Sequence, residues 1–184
     1  VNWRRVEIVL LDLDGTLLDL RFDNYFWQEL IPQQLSERQG MSVSEASALV
    51  QAQYQKCYGQ LPWYCIEHWS EVFGMDLCAL KRAHRERIAL RPRTIEWLEY
   101  LSRRSIPAVL VTNAHPKTLA IKMEKIPLTD YFSAMYSAHA FGHAKEHMAF
   151  WHAFAADYPF NPAQAMLVDD NLSVLQCAQA FGIE

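Results

Sequence analysis

The stretch Ile8-Val-Leu-Leu-Asp12-Leu-Asp14-Gly15-Thr16-Leu17 decides the fold. Four apolar residues with no polar alternation call for a strand buried on both faces, the condition of a parallel sheet covered by helices. The run stops at two carboxylates spaced i, i+2, positions that share one side of an extended chain. Glycine at 15 permits the tight backbone turn needed where the strand ends. Two acids aimed at one spot repel unless a cation lies between them. Oxygen donors of this kind suit Mg²⁺, which in turn favours phosphate as a further ligand.

Two more runs have the same form: Ala108-Val-Leu-Val111 stops at Thr112, and Ala165-Met-Leu-Val168 stops at Asp169 and Asp170. A weaker apolar segment lies at 134–136. Helical patterns at 94–104, from Pro116 through Met123, at 146–158 and at 172–181 alternate with these strands. The alternation predicts an α/β protein with a Rossmann-like, doubly wound parallel sheet, whose ligands bind where strand carboxyl ends meet the following loops.

Residues 20–92 break the alternation and read as four helices at 24–35, 44–58, 64–73 and 77–88. Ser42 and Glu45 form a capping box, and Gly40, Gly59 and Gly74 punctuate the segment. The expected organisation is therefore a helical cap over 20–92, inserted into an α/β core made of 1–19 and 93–184.

Composition narrows the functional classes. With 184 residues, 51% apolar side chains and a net charge of −4, the chain is an ordinary globular protein without the basic field that a nucleic-acid polymer requires. Near either end the longest apolar run is Ile8 to Leu11, far below the roughly 18 residues of a membrane span. No secretory signal pattern opens the chain, so a cytoplasmic location is expected. Cysteines 57, 65, 78 and 177 lack Cys-x-x-Cys spacing and read as reduced, packed thiols. Histidines 139, 143 and 147 stand four apart, but Gly142 argues against the helix that would align them as metal ligands.

In the order Asp12-Leu-Asp14-Gly-Thr, Thr112 at a strand end, Lys145 ahead of a helix, and Asp169-Asp170 after an apolar strand, the chain resembles the haloacid dehalogenase (HAD) superfamily, most of whose members are Mg²⁺-dependent phosphatases. The resemblance implies that Asp12 attacks phosphorus and that Asp14 serves as general acid and base while its backbone carbonyl holds Mg²⁺. It further implies that Thr112 donates to a phosphoryl oxygen and Lys145 neutralises phosphate and Asp12. Asp170 is the expected direct metal ligand, with Asp169 acting through water or orienting Lys145. Dehalogenases of the superfamily lack the second Asp of the first motif, so Asp14 favours phosphoryl transfer.

A narrower resemblance, to the bacterial HAD-type purine nucleotidases that hydrolyse GMP and IMP, rests on residues 17–27, Trp63-Tyr64-Cys65, Thr112-Asn113-Ala-His115-Pro and Lys145-Glu146. It implies a small phosphate ester, a nucleoside 5′-monophosphate, as substrate. Thr16, Asn113, Asp23, Asn24, Trp27 and His115 are the candidate substrate contacts. The alternatives are a phosphoglycolate or sugar-phosphate phosphatase, a phosphomutase, or a silent binding module on the same fold. Relatives add a strand and closing segment beyond the position of Glu184, so the chain is expected to be a fragment or a trimmed form. The sequence carries no sign of oligomeric state.

Overall fold

The computed structural model describes Trp3 and residues 5–184. Strands β1 (Ile8–Leu11), β2 (Ala108–Thr112), β3 (Ala134–Ser137) and β4 (Ala165–Val168) form one parallel sheet among the described residues, in the order β3-β2-β1-β4. Every residue of β1 and β2 is buried, as the uninterrupted apolar runs require. Along β1 the side chains alternate between two cores. Val9 and Leu11 join Leu98 and Leu101 of α6 (Thr94–Arg103) and Ile121 of α7 (Pro116–Lys125). Ile8 and Leu10 join Phe150, Trp151 and Phe154 of α8 (Met148–Asp157) and Val174 of α9 (Leu172–Phe181). Leu11 pairs with Leu110 and Val168 in register, so the ends of β1, β2 and β4 lie level.

The segment between β1 and α6 is helical, with boundaries that differ from the sequence expectation. The first helix runs unbroken as α1 (Arg21–Tyr25), a π-helical turn (Phe26–Leu30) and α2 (Ile31–Gln39). The π turn ends at Leu30, two residues before Pro32, which has no N–H for the ordinary i→i−4 bond. The capping box of Ser42 and Glu45 opens α3 (Val43–Tyr54), which stops short of 58. Pro62 lies in a 3₁₀ turn (Leu61–Tyr64), so α4 begins at Ile66 (Ile66–Phe73). Helix α5 (Leu77–Ala83) gives way to another 3₁₀ turn at Arg85–Arg87. These helices bury a core of their own, with Phe26, Ile31, Val50, Tyr54, Trp69 and Leu77 at its centre. None of the helices among the described residues is long and apolar enough to cross a membrane.

Both passages between this segment and the sheet lie side by side. Leu18 bridges Leu90 antiparallel, and the Asp19 N–H donates to the Ala89 carbonyl at 2.9 Å. The Arg91 N–H and the Thr94 hydroxyl both donate to the Leu17 carbonyl, each at 2.9 Å. A buried charge bridge joins the layers a second time. Asp23 of α1 accepts from Lys81 of α5 at 2.6 Å and from Lys122 of α7 at 2.8 Å, and both lysines are buried. Lys81 also lies over the rings of Phe26 and Trp27, at 4.6 and 5.1 Å from their centroids.

Burial opposes ionisation of Asp23, yet Lys122 and Lys81 outweigh it and hold the carboxyl well below the usual carboxylate range. A carboxyl whose folded pKa lies below its unfolded value of about 3.9 stabilises the fold above that value, and the stabilisation is lost as pH falls further. Asp23→Ala removes one partner of a buried ion cluster and is expected to cost about 3–5 kcal/mol in urea unfolding at neutral pH. The acid-induced loss of stability below about pH 4 should be smaller in this variant than in the parent.

Candidate active site

The level strand ends bring the polar residues that follow them to one place. Lys145, in the turn ahead of α8, is buried at the centre. Its ammonium donates to Asp12 Oδ1 at 2.5 Å, to Asp169 Oδ2 at 2.7 Å and to the Val111 carbonyl at 2.9 Å, which uses all three protons. The backbone of Lys145 is equally constrained: its N–H donates to Asn113 Oδ1 at 2.9 Å, and its carbonyl accepts from Trp151 Nε1 at 2.8 Å. Burial disfavours the charge on Lys145, but Asp12 and Asp169 outweigh it and hold the ammonium protonated above the usual lysine range. Thr112 is buried at the end of β2, where its Oγ1 accepts from the Ala114 N–H at 3.0 Å.

Carboxylate oxygens of Asp12, Asp169 and Asp170 lie within 4.8 Å of one another. Hard oxygen donors at that spacing fit Mg²⁺ better than a softer ion. Burial pushes the Asp12 carboxyl up to about 7, with Lys145 pulling it down and Asp169 and Asp14 adding repulsion. The cluster thus carries more negative charge than its one ammonium offsets, which a divalent cation would correct. Gly15 leaves the room. At φ +84°, an added Cβ would stand 2.0 Å from Asp170 Oδ2, so the carboxylate of Asp170 occupies space that any side chain at 15 would fill. Both oxygens of Asp169 are already engaged, one by Lys145 and the other by the Asn171 N–H at 2.9 Å.

Asp14 departs from the expectation that both carboxylates of the first motif aim at one spot. The chain leaves extended geometry after Leu11, and the Asp14 carboxylate turns to Lys122, which donates to Oδ1 at 2.5 Å. Burial raises its pKa while Lys122 lowers it, and the net direction is upward. The main chain of the same loop is pinned by Arg91, whose guanidinium donates to the Gly15 carbonyl at 2.7 Å.

Above the carboxylates lies a cavity of about 650 Å³, the size of a small-molecule site. Asp12, Asp14, Thr112, Asn113, Lys145, Asp169 and Asp170 floor it, and Asp23, Asn24 and Trp27 line it from α1 and the π turn. Both carboxylate oxygens of Asp23 are already engaged by lysines, so Asp23 meets the cavity as part of an ion cluster. Trp27 stands edge-on to Tyr54 at 6.1 Å, and Tyr54 edge-on to Trp63 at 5.3 Å, so the aromatic wall packs on itself as well as facing the cavity. Two sequence candidates do not line it. Thr16 lies past the turn at Gly15, and His115 caps α7, its Nδ1 accepting from the Lys117 N–H and its Nε2 lying 3.3 Å from Glu67.

Several residues that sequence reasoning passed over belong to the same constellation. Glu146 accepts from Asn113 Nδ2 at 2.9 Å, from Asn171 Nδ2 at 3.1 Å and from the Tyr64 hydroxyl, tying the helical segment to the ends of β2 and β4. Lys122 was accessible to a pattern argument. It shares the inward face of α7 with Thr118 and Ile121, where an unpaired lysine is unfavourable.

The model of the haloacid dehalogenase-like hydrolase family matches residues 9–184. The GMP/IMP nucleotidase YrfG of Escherichia coli (strain K12) is 40% identical over 183 residues, covering 100% of this chain and 82% of that protein; the protein of the same name from Shigella flexneri matches equally. Among solved structures, a HAD phosphatase from Thermococcus onnurineus superposes with a TM-score of 0.84 at 23% identity, over 97% of this chain and 84% of that one. The L-2-haloacid dehalogenase from Xanthobacter autotrophicus superposes with a TM-score of 0.67 at 21% identity, over 97% and 75%. With the family match reaching from β1 to the last residue, this chain belongs to the haloacid dehalogenase-like hydrolases.

Proposed function

We propose that the protein is a Mg²⁺-dependent phosphomonoesterase that acts through an aspartyl-phosphate on Asp12, with purine nucleoside 5′-monophosphates of the GMP and IMP type as substrates. The observation that carries the reading is the buried Lys145 ammonium between Asp12 and Asp169 at the floor of an aromatic-walled cavity. The 40% identity to a GMP/IMP nucleotidase supports the choice of ester. Residues 20–92 act as the cap that selects the substrate, and 1–19 with 93–184 act as the catalytic core.

In this mechanism a carboxylate oxygen of Asp12 attacks phosphorus while the bond from phosphorus to the nucleoside oxygen breaks. Asp14, whose pKa burial raises against the pull of Lys122, gives its proton to the departing alkoxide. It then takes one from the water that attacks the phosphoryl-aspartate, which releases inorganic phosphate and restores Asp12. Lys122 holds the Asp14 carboxylate at a fixed angle. Thr112, whose Oγ1 is already used as an acceptor, keeps its hydroxyl proton for a phosphoryl oxygen. Lys145 offsets the charge of Asp12 and of the incoming phosphate. Asp12, Asp170 and the Asp14 backbone carbonyl would hold Mg²⁺, which would supply further positive charge for binding the phosphoryl group. Asn24, Gln28 and the rings of Trp27 and Trp63 line the part of the cavity that receives the base.

Asp12→Asn should lower phosphate release by more than about 10³-fold, with the far-ultraviolet dichroism of the parent retained. Thermal unfolding followed with and without Mg²⁺ checks the metal assignment separately from turnover. At about 100 times its Kd the ion should stabilise the parent by roughly 2.7 kcal/mol, and Asp170→Asn should lose most of that shift. In a panel of phosphate esters with Mg²⁺ present, GMP and IMP should lead in kcat/KM over AMP, phosphoglycolate and hexose phosphates. A ranking led by phosphoglycolate or a sugar phosphate would remove the nucleotide assignment and leave the phosphatase.

A further inference from the structure

We propose that Cys65, His115 and His139 form a Zn²⁺ site that fastens the helical segment to the sheet, separate from the carboxylate cluster. Cys65 Sγ and one ring nitrogen from each histidine lie within 4.8 Å of one another. Thiolate and imidazole are the donor set that zinc prefers over Mg²⁺. The three side chains come from different parts of the fold. Cys65 precedes α4, His115 precedes α7, and His139 lies in the 3₁₀ turn Ala138–Ala140 that follows β3. A spacing of 50 residues between Cys65 and His115, and of 24 between His115 and His139, gives no motif that sequence alone could reveal.

A second observation marks the place as a ligand site. Nε2 of His139 is buried and makes no hydrogen bond of normal geometry among the described residues, although backbone groups of Asn113 and Tyr64 lie close enough to the ring to favour its protonated form. The rings of His115 and His139 stand edge to face with centroids 4.8 Å apart. Burial lowers the pKa of both rings, against the pull of Glu67. The contacts given up are weak. Cys65 Sγ accepts from the His68 N–H at 3.4 Å, and each contact of the His115 ring nitrogens is 3.3 Å long. In tetrahedral zinc the ligand atoms stand about 3.3–3.6 Å apart, so side-chain rotations of about 1 Å close the site. On binding, the Cys65 S–H bond is replaced by S–Zn and the thiol proton leaves to buffer. One thiolate and two neutral imidazoles would leave the ion with a single positive charge, and the Glu67 carboxylate, already paired with Lys117, lies 3.3 Å from His115. Because Cys65 follows Tyr64, whose hydroxyl donates to Glu146 in the cavity, zinc here holds the entrance wall of the cavity against the sheet.

The test titrates the full chain, reduced and with Mg²⁺ in excess, with Zn²⁺, and with Co²⁺ as a spectroscopic replacement. The expected result is one equivalent of Co²⁺ bound with a thiolate-to-cobalt charge-transfer band and tetrahedral visible bands, displaced by one equivalent of Zn²⁺. Cys65→Ser should abolish the charge-transfer band, and His139→Gln should weaken Zn²⁺ affinity at least about tenfold, in line with loss of a ligand. Asp170→Asn, which alters only the carboxylate cluster, should keep the band. Absence of the band in the parent overturns the proposal. So does its survival in Cys65→Ser, which would assign the thiolate to another cysteine, and so does Zn²⁺ binding that Asp170→Asn removes and the other two variants leave intact.

Discussion

The active end of this molecule depends on one buried ammonium. Lys145 has no water to solvate it, and the cost of burying its charge is met by three acceptors placed at hydrogen-bonding distance: Asp12, Asp169 and the Val111 carbonyl. Asp12 follows β1, Asp169 follows β4 and Val111 is the last residue but one of β2, so the ammonium fixes the relative position of three strand ends. Its own backbone is held by Asn113 and Trp151, which leaves the lysine little freedom to relax elsewhere. The parallel register makes this possible, because only strands that run the same way and end level deliver three acceptors to one point.

A second ammonium gives the two carboxylates of the first motif different partners. Asp12 and Asp14 are two residues apart in sequence, yet they meet different cations, Lys145 for the former and Lys122 for the latter. Both carboxyls are pushed upward by burial, and each is drawn back by its own lysine. Asp12 lies with Asp169 and Asp170 in a cluster that has an excess of negative charge, whereas Asp14 shares Lys122 with Asp23. Two carboxylates in one loop thereby acquire distinct environments, the condition for dividing nucleophile from acid–base group.

Much of this was legible in the sequence, for reasons that differ by residue. The continuous apolar runs specified the buried parallel strands, and the polar residues at their ends marked the floor of the site, because strand periodicity and chain order require no knowledge of packing. Ser42 and Glu45 opened their helix as a local capping rule demands. Rules of that kind did not extend to helix ends in the 20–92 segment, where a π turn lies within the first helix and Pro62 delays α4. Lys122, Lys81 and Glu146 were missed because their partners lie 108, 58 and 82 residues away, and no local pattern records such pairing. His115 lay in a motif-like run after Thr112 but caps a helix outside the cavity, since a side chain two residues beyond the Asn113 contact has already turned with the chain into α7.

The charge bridges also explain how the wall of the cavity and its floor are coupled. Asp23 belongs to the helix that carries Asn24 and leads to Trp27, and its two oxygens are shared between Lys81 of the helical segment and Lys122 beneath it. Lys122 in turn orients Asp14. Any displacement of α1 relative to the sheet must stretch the Asp23–Lys122 contact of 2.8 Å or drag Lys122 along, and either outcome changes what Asp14 faces. The bridge between Leu18 and Leu90 and the bonds to the Leu17 carbonyl hold both crossings together next to Gly15. The helix that leads to the aromatic wall and the Asp14 carboxylate are therefore joined through a single buried lysine. The linkage requires no long pathway, since one ammonium touches both carboxylates directly.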